Sequence, residues 1–228
     1  MWYSTDDSDD SVRSLIREGI RITESNGLPY HGREHISWMR EILEELFNHS
    51  LRHGLPLEPE HRNLRTLELL SIAAAWHDTV QGAGENEEKS ARLLDEQLEL
   101  VDHGLDADER RTLRELILST RYELDTENGL IHQKVHDSYI CRLFADADLG
   151  MMGLDAELHH SALAHLAEEL GITPSDDEEF LEFLEFQLRV LEQQPLGTMV
   201  ARELYAENRQ RNIVTVLGLI EAALGNDS

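Results

Sequence analysis

The sequence predicts an all-α fold, an irregular bundle of about eight or nine helices. Three observations predict it. Apolar residues recur at i, i+3, i+4 and i+7 in nearly every long segment, with polar residues between them. Breaks bearing glycine or proline fall between those segments. No run of alternating β-branched residues makes a convincing strand.

The elements follow in order. Val12, Leu15, Ile16, Gly19 and Ile20 line one face of a first helix, which Gly27-Leu28-Pro29 ends. Ile36, Met39, Ile42, Leu43, Leu46 and Phe47 line a second, covering 33–47, and Gly54-Leu55-Pro56-Leu57-Glu58-Pro59 separates it from the third. Leu64, Leu67, Leu70 and Ala74 mark the third, which is apolar almost throughout from Leu67 to Trp76 and runs into His77-Asp78. Gly82-Ala83-Gly84 follows and reads as a helix terminus; it is too short and misplaced for a nucleotide-binding fingerprint. Leu93, Leu94 and Leu98, then Leu113, Leu116, Ile117 and Thr120, continue the period on either side of Asp102-His103-Gly104. Beyond Asn128-Gly129 a helix runs from about Val135 through Asp148. Gly171-Ile172-Thr173-Pro174 precedes Ser175-Asp176-Asp177-Glu178, a capping-box pattern with Ser at N-cap and Glu at N3. Phe180, Phe183, Leu184, Gln187, Leu188 and Leu191 form the last of these stripes, before Gln194-Pro195.

No linker is long or biased enough to divide the chain, and no internal repeat is visible. A single domain is expected over all 228 residues, enough to bury one sizeable core. Its motif-bearing part would cover about 28–155, with C-terminal helices over about 156–225 packed on it.

The chain carries 46 acidic against 20 basic residues, a formal net charge of −26. That balance opposes binding to a nucleic-acid backbone or an anionic membrane, which need clustered Lys and Arg. The excess acid reads as a solvated, self-repelling surface. Cys141 is the only cysteine, so no internal disulfide is possible, which fits a reducing compartment. No apolar run approaches the roughly 20 residues that span a bilayer. The acidic start, Met1 to Asp10, lacks a basic-then-apolar signal, so a cytoplasmic protein is expected.

The chemistry concentrates at three places. His35 shares a helical stripe with Met39, Ile42, Leu43 and Leu46, at offsets of 4, 7, 8 and 11, so it faces the core. A lone histidine there is more often a hydrogen-bonded core residue than a ligand. His77 and Asp78 lie three and four residues after Ala74, on either side of its stripe, so both can point inward from the last turn of their helix. A carboxylate on a core face needs a partner, and a metal or a buried Arg would serve. Asp148 falls four residues after Phe144 and seven after Cys141, on an apolar stripe. Asp146 falls four after Arg142, where a surface salt bridge would explain it; it remains the alternative inward carboxylate. Two imidazoles and two carboxylates suit one divalent Mn, Fe, Co, Ni or Zn rather than Mg or Ca.

With these residues in place, the chain resembles the HD-domain superfamily of metal-dependent phosphohydrolases, and is most similar to a predicted bacterial branch of it. The resemblance rests on His35, His77-Asp78 and Ala147-Asp148-Leu149 in that order along an all-helical chain. Tyr30-His31-x-x-x-His35, Ala75-Trp76-His77-Asp78, Glu85-Asn86-Glu87-Glu88-Lys89-Ser90-Ala91, Leu118-Ser119-Thr120 and Asp146 to Gly153 carry it, with a late Tyr205-x-x-Asn208-Arg209-x-x-Asn212. It runs from about residue 28 to 213. Each motif alone is weak, and their ordered set is specific. The resemblance implies a helical bundle of the HD-domain type and one divalent metal held by His35, His77, Asp78 and Asp148. It implies hydrolysis by a metal-activated water, with His77 and Asp78 at the catalytic centre and Asp78 orienting or deprotonating that water.

Departures from the superfamily narrow the expectation. Some members hold two metals through extra histidines after the HD pair, where this chain carries Asn86 and Tyr122, so one metal is expected. Alarmone hydrolases carry a Glu-Asp pair shortly after HD, where this chain reads Thr79-Val80-Gln81-Gly82. Glutamine is no general base, which counts against alarmone cleavage; Glu85, Glu87 or Glu88 would have to supply a carboxylate.

Other residues carry competing readings. His31 and His35 are i, i+4, as in the zinc-protease pattern H-E-x-x-H, but Glu34 sits beside the second histidine, which disfavours a protease. His31 and Glu87 are candidates for substrate contact. Arg33, Lys89 and Arg121 lie near the motifs and either neutralise substrate phosphate or are ordinary surface charges. His132, His136, His159 and His160 read as surface residues, and Met151-Met152 as core. The expectation is a hydrolase acting on the phosphate ester or pyrophosphate bond of a small phosphorylated molecule, a nucleotide first among them. The rivals are a non-catalytic metal- or nucleotide-binding regulatory module and a di-iron oxygenase. Homo-oligomerisation stays open.

Overall fold

The computed structural model describes residues 7–82, 84–100, 103–125, 130–133, 136–173 and 177–225. Its architecture is an all-α multi-helix bundle with nine α-helices among the described residues. They are α1 (Asp7–Ser25), α2 (Arg33–Arg52), α3 (Leu64–Trp76), α4 (Asn86–Leu100), α5 (Ala107–Leu118), α6 (Tyr139–Asp148), α7 (Ala156–Glu169), α8 (Asp177–Gln193) and α9 (Met199–Gly225). Short 3-10 turns lie at Pro59–His61 and Leu149–Gly153. No described helix is long and apolar enough to cross a membrane.

Side-chain caps fix several starts. Asn63 accepts from the Thr66 amide at 2.9 Å ahead of α3. Asp106 and Glu109 exchange a reciprocal capping box at α5. Asp155 accepts from the Glu157 and Leu158 amides at α7. The pattern at Ser175-Asp176 lies outside the described residues, as do Asp102, Asn128-Gly129, Pro174 and Val135.

The third helix is the centre of the core. Thr66, Leu67, Leu69, Leu70 and every residue from Ile72 to Trp76 are buried, and α1, α2 and α5 pack around them. The Trp76 indole donates to the Leu15 carbonyl at 2.9 Å, which ties α1 to the end of α3. Gly19 makes that approach possible: a Cβ there would lie 2.6 Å from the Ala75 oxygen and 2.7 Å from the Trp76 ring. The end of α3 therefore has little freedom, and the His77-Asp78 pair begins there.

Three expectations need correction. A two-stranded antiparallel hairpin exists: β1 (Tyr122–Asp125) pairs with β2 (Leu130–Gln133), with Tyr122 opposite Gln133. Its strands are four residues each: Tyr122–Asp125 alternates over too short a run to declare a strand, and Leu130–Gln133 does not alternate. Next, α6 begins at Tyr139, four residues after the expected start near Val135. Lastly, α3 ends at Trp76, and His77 is its C-cap, its amide still donating to the Ala73 carbonyl at 2.9 Å.

Candidate metal centre

Three elements deliver four side chains to one point. His35 comes from the first turn and a half of α2, His77 and Asp78 from the end of α3, and Asp148 is the last residue of α6. One ligand atom from each lies within 4.8 Å of all the others. The His35 and His77 Nε2 atoms are 3.2 Å apart. His35 Nε2 stands 3.4 Å from Asp78 Oδ2 and 3.3 Å from Asp148 Oδ1. His77 Nε2 stands 2.8 Å from Asp78 Oδ2 and 3.2 Å from Asp148 Oδ1. Around an ion with bonds of about 2.1 Å, neighbouring ligand atoms stand roughly 3.0–3.4 Å apart. Four of these five separations fall within that interval.

The hydrogen bonds agree with a cation at this point. His77 Nδ1 lies 2.9 Å from the Ala74 carbonyl, which can only accept, so Nδ1 carries a proton. In the neutral ring, Nε2 then presents its lone pair to the centre, the tautomer a metal requires. Asp78 Oδ2 is buried and has no hydrogen-bond donor. Lone pairs thus face lone pairs in a water-poor space, an arrangement that needs either a metal or trapped protons. The opposed charges couple the four groups. Burial pushes His35 and His77 down, yet the facing carboxylates outweigh it and hold both above the ordinary histidine value. Burial pushes Asp78 and Asp148 up, yet His77 and His35, joined at Asp78 by His31, outweigh it and hold both below the ordinary carboxylate value.

A second layer surrounds the four. Gln81 Nε2 donates to Asp78 Oδ1 at 2.6 Å, and Asn86 Nδ2 donates to Gln81 Oε1 at 3.2 Å. Gln133 Nε2, from β2, donates to Asp148 Oδ2 at 2.7 Å. Tyr30 packs tilted against His35, ring centroids 5.1 Å apart. Loss of water and the charges of Asp148 and Asp78 push the Tyr30 hydroxyl up. Tyr122 as a residue is 44 % exposed. Its hydroxyl has lost water and faces the same carboxylates, and it too is pushed well above the ordinary phenol value.

The other expected residues divide. His31 adjoins the centre, its ring edge-on to His35 at 5.8 Å, but it lies outside the group of four. Its Nδ1 pairs with Glu169 Oε1 at 2.5 Å. Glu87 is half-buried; burial lifts it above the usual carboxylate range, and repulsion from Glu88, Asp78 and Asp148 adds to that. Arg33 forks onto Glu24 at 2.5 and 2.9 Å in solvent. Lys89 donates to the Gly84 carbonyl at 2.7 Å, and Arg121 pairs with Glu88. Each of the three cations therefore already holds a partner.

Asp146 is not a surface residue. It is 1 % exposed, and its carboxylate accepts from the Gly197 and Thr198 amides at 2.7 and 2.8 Å and from the Thr198 hydroxyl at 2.5 Å. The Tyr205 hydroxyl donates to its backbone oxygen at 3.0 Å. Asp146 latches the start of α9 onto α6 and stands apart from the four. His159 also overturns its surface reading, at 0 % exposure, whereas His160 is exposed and His136 half-buried. The side chain of His132 lies outside the described residues. Met152 is buried and Met151 partly so.

Sequence reasoning missed Gln133 and Glu169. No motif marks either, because each reaches the centre only through the chain's return from a distant element. Gln81 and Asn86 were visible as departures from a pattern, with no role attached.

No family model matches the chain, and no curated protein does either. Among solved structures it is similar to a crystal structure of a Lactobacillus plantarum protein, a Northeast Structural Genomics target. The TM-score is 0.63 at 16 % identity, over 98 % of this chain and 100 % of that one. At that identity the likeness establishes the fold alone.

Proposed function

We propose that this protein is a metal-dependent phosphohydrolase of the HD-domain type. The proposed substrate is a small phosphorylated molecule, a nucleotide first among them, cleaved at a phosphate ester or pyrophosphate bond. The observation that carries this reading is the convergence of His35, His77, Asp78 and Asp148 within 4.8 Å. Two imidazoles and two carboxylates favour one Mn, Fe, Co, Ni or Zn ion over Mg. Such an ion supplies an activated water and screens phosphate oxygens. The side chains do the rest. Asp78, whose Oδ2 faces both imidazoles, would help hold the ion and would lie beside the water that the ion activates. His77 is held by Ala74 in the tautomer that leaves Nε2 unprotonated. The net charge of −26 favours a small substrate over a nucleic-acid polymer.

A second reading has its own support. Arg33, Lys89 and Arg121 are engaged elsewhere, so no unpaired cation among them meets a phosphate. That favours a non-catalytic module that senses metal or ligand. A di-iron oxygenase would need further histidines, and the described residues offer one His/Asp group.

Phosphate release from a panel of nucleotides and sugar phosphates separates the first two. It is run with Mn, Co, Ni, Mg and Zn in parallel, with Asp78→Ala as control. Metal-dependent release lost in Asp78→Ala supports the hydrolase. Silence across the panel from folded, metal-loaded protein favours the sensing module.

A further inference from the structure

Both carboxylates of the centre are divided in the same way. Asp78 turns Oδ2 to the two imidazoles, and its Oδ1 takes the Gln81 amide at 2.6 Å. Asp148 turns Oδ1 to them, and its Oδ2 takes the Gln133 amide at 2.7 Å. The amide orientations are not arbitrary. A flipped glutamine would set its own oxygen against a carboxylate oxygen at that distance, acceptor against acceptor. Gln81 is fixed twice, since its oxygen also accepts from Asn86. Gln133 is 6 % exposed, and its Oε1 is buried without a donor. That leaves one unmatched acceptor in the second layer, on the residue that joins β2 to Asp148.

We propose that Gln81 and Gln133 are positioning residues that hold Asp78 and Asp148 as one-oxygen ligands, with Gln133 tying the ion's retention to the β1–β2 hairpin. This rests on the reading of the four residues as a metal site. A carboxylate with a free outer oxygen can rotate and give both oxygens to an ion. One whose outer oxygen is held at 2.6–2.7 Å must break that bond first. Four single-atom ligands leave positions on a five- or six-coordinate ion for water and substrate. An amide achieves this without changing charge: two carboxylates already neutralise a divalent ion, and a third acid at either glutamine position would repel its neighbour.

The test uses the full chain stripped of metal, with Mn and Co as the ions titrated. Gln81→Met and Gln133→Met keep size and remove the donor; Gln187→Met, at a buried glutamine of α8, controls for general loosening. Calorimetry gives affinity, and the visible absorption of the Co-loaded protein reports coordination number. Each variant at the centre is expected to weaken metal binding about 10–100-fold. Its Co absorption should weaken as the released oxygen joins the ion and coordination number rises, while Gln187→Met changes neither. Asn86→Ala loosens Gln81 without touching Asp78, and should give a smaller weakening of the same sign if Gln81→Met does not fold. Wild-type affinity and an unchanged Co spectrum in the centre variants overturn the proposal. A wild-type protein that takes up no ion overturns the metal reading itself, and does so before any variant is made.

Discussion

Glu169, the last residue of α7, holds His31 from 138 positions away. Its Oε1 meets His31 Nδ1 at 2.5 Å, and its Oε2 accepts the Tyr30 and His31 amides, each at 2.9 Å. Those bonds outweigh burial and hold the Glu169 carboxyl below its usual range. One carboxylate thus fixes both the ring and the backbone of the segment leading into α2. His31 is placed beside the centre without belonging to it.

Glu169→Gln should therefore separate positioning from ligation. It is expected to leave the stoichiometry and affinity of a titrated Mn ion unchanged, whereas His35→Ala should lower affinity beyond the roughly 10–100-fold that outer contacts give. Stability should fall by about 2 kcal/mol, since a glutamine cannot accept all three N–H groups. For an active phosphohydrolase, the loss of kcat/KM should appear in KM rather than in kcat. Equal losses of metal in both variants would place His31 among the ligands.

Asp146 and Asp148, two residues apart, should fail in opposite ways. Asp148→Asn removes a charged ligand and should abolish metal binding in calorimetry while the apo protein stays folded. Asp146→Ala leaves two amides and a hydroxyl at the start of α9 without an acceptor. It should cost about 3 kcal/mol in urea unfolding and leave the metal stoichiometry intact. The reverse pattern would exchange their roles.

These two aspartates also show where the sequence is legible. A helical wheel places Asp148 on the stripe of Cys141 and Phe144, neighbours in its own helix, and its side chain faces His35 and His77. The wheel places Asp146 outward beside Arg142, because nothing local announces that the start of α9 covers that side. The same limit applies to His159, whose cover comes from other elements. His35, His77 and Asp78 were readable from the apolar stripes that carry them. Gln133 was not, because Leu130–Gln133 is too short and too polar to declare a strand. What a residue's own helix determines was visible; what a distant element brings to it was not.

Metal uptake should release protons. The facing carboxylates hold His35 and His77 above the ordinary histidine value, so the rings bind protons more tightly than a free imidazole and an ion must compete with those protons. Affinity is expected to fall as pH drops below 7, and the apparent binding enthalpy at pH 7 should differ between buffers of different ionisation enthalpy. Identical enthalpies in phosphate-free buffers of both kinds would contradict the proton load assigned to the two rings.

His159 should set part of the acid limit of the fold. Its ring is fully buried in α7, both nitrogens lack partners, and burial, with repulsion from His160, pushes its pKa down to about 4. The unfolded chain binds the proton near 6.5 and the folded one only near 4, so unfolding takes up a proton between those values. The stability associated with a neutral His159 is complete above about 6.5 and is lost as pH falls toward 4, by about 3 kcal/mol. His159→Leu fills a similar space with no group to protonate. Measured by urea unfolding from pH 7.5 to 4.5, the variant should gain on the wild type steadily below about pH 6.5. Parallel stability curves for the two proteins would show that the ring is protonated in the folded state at little cost.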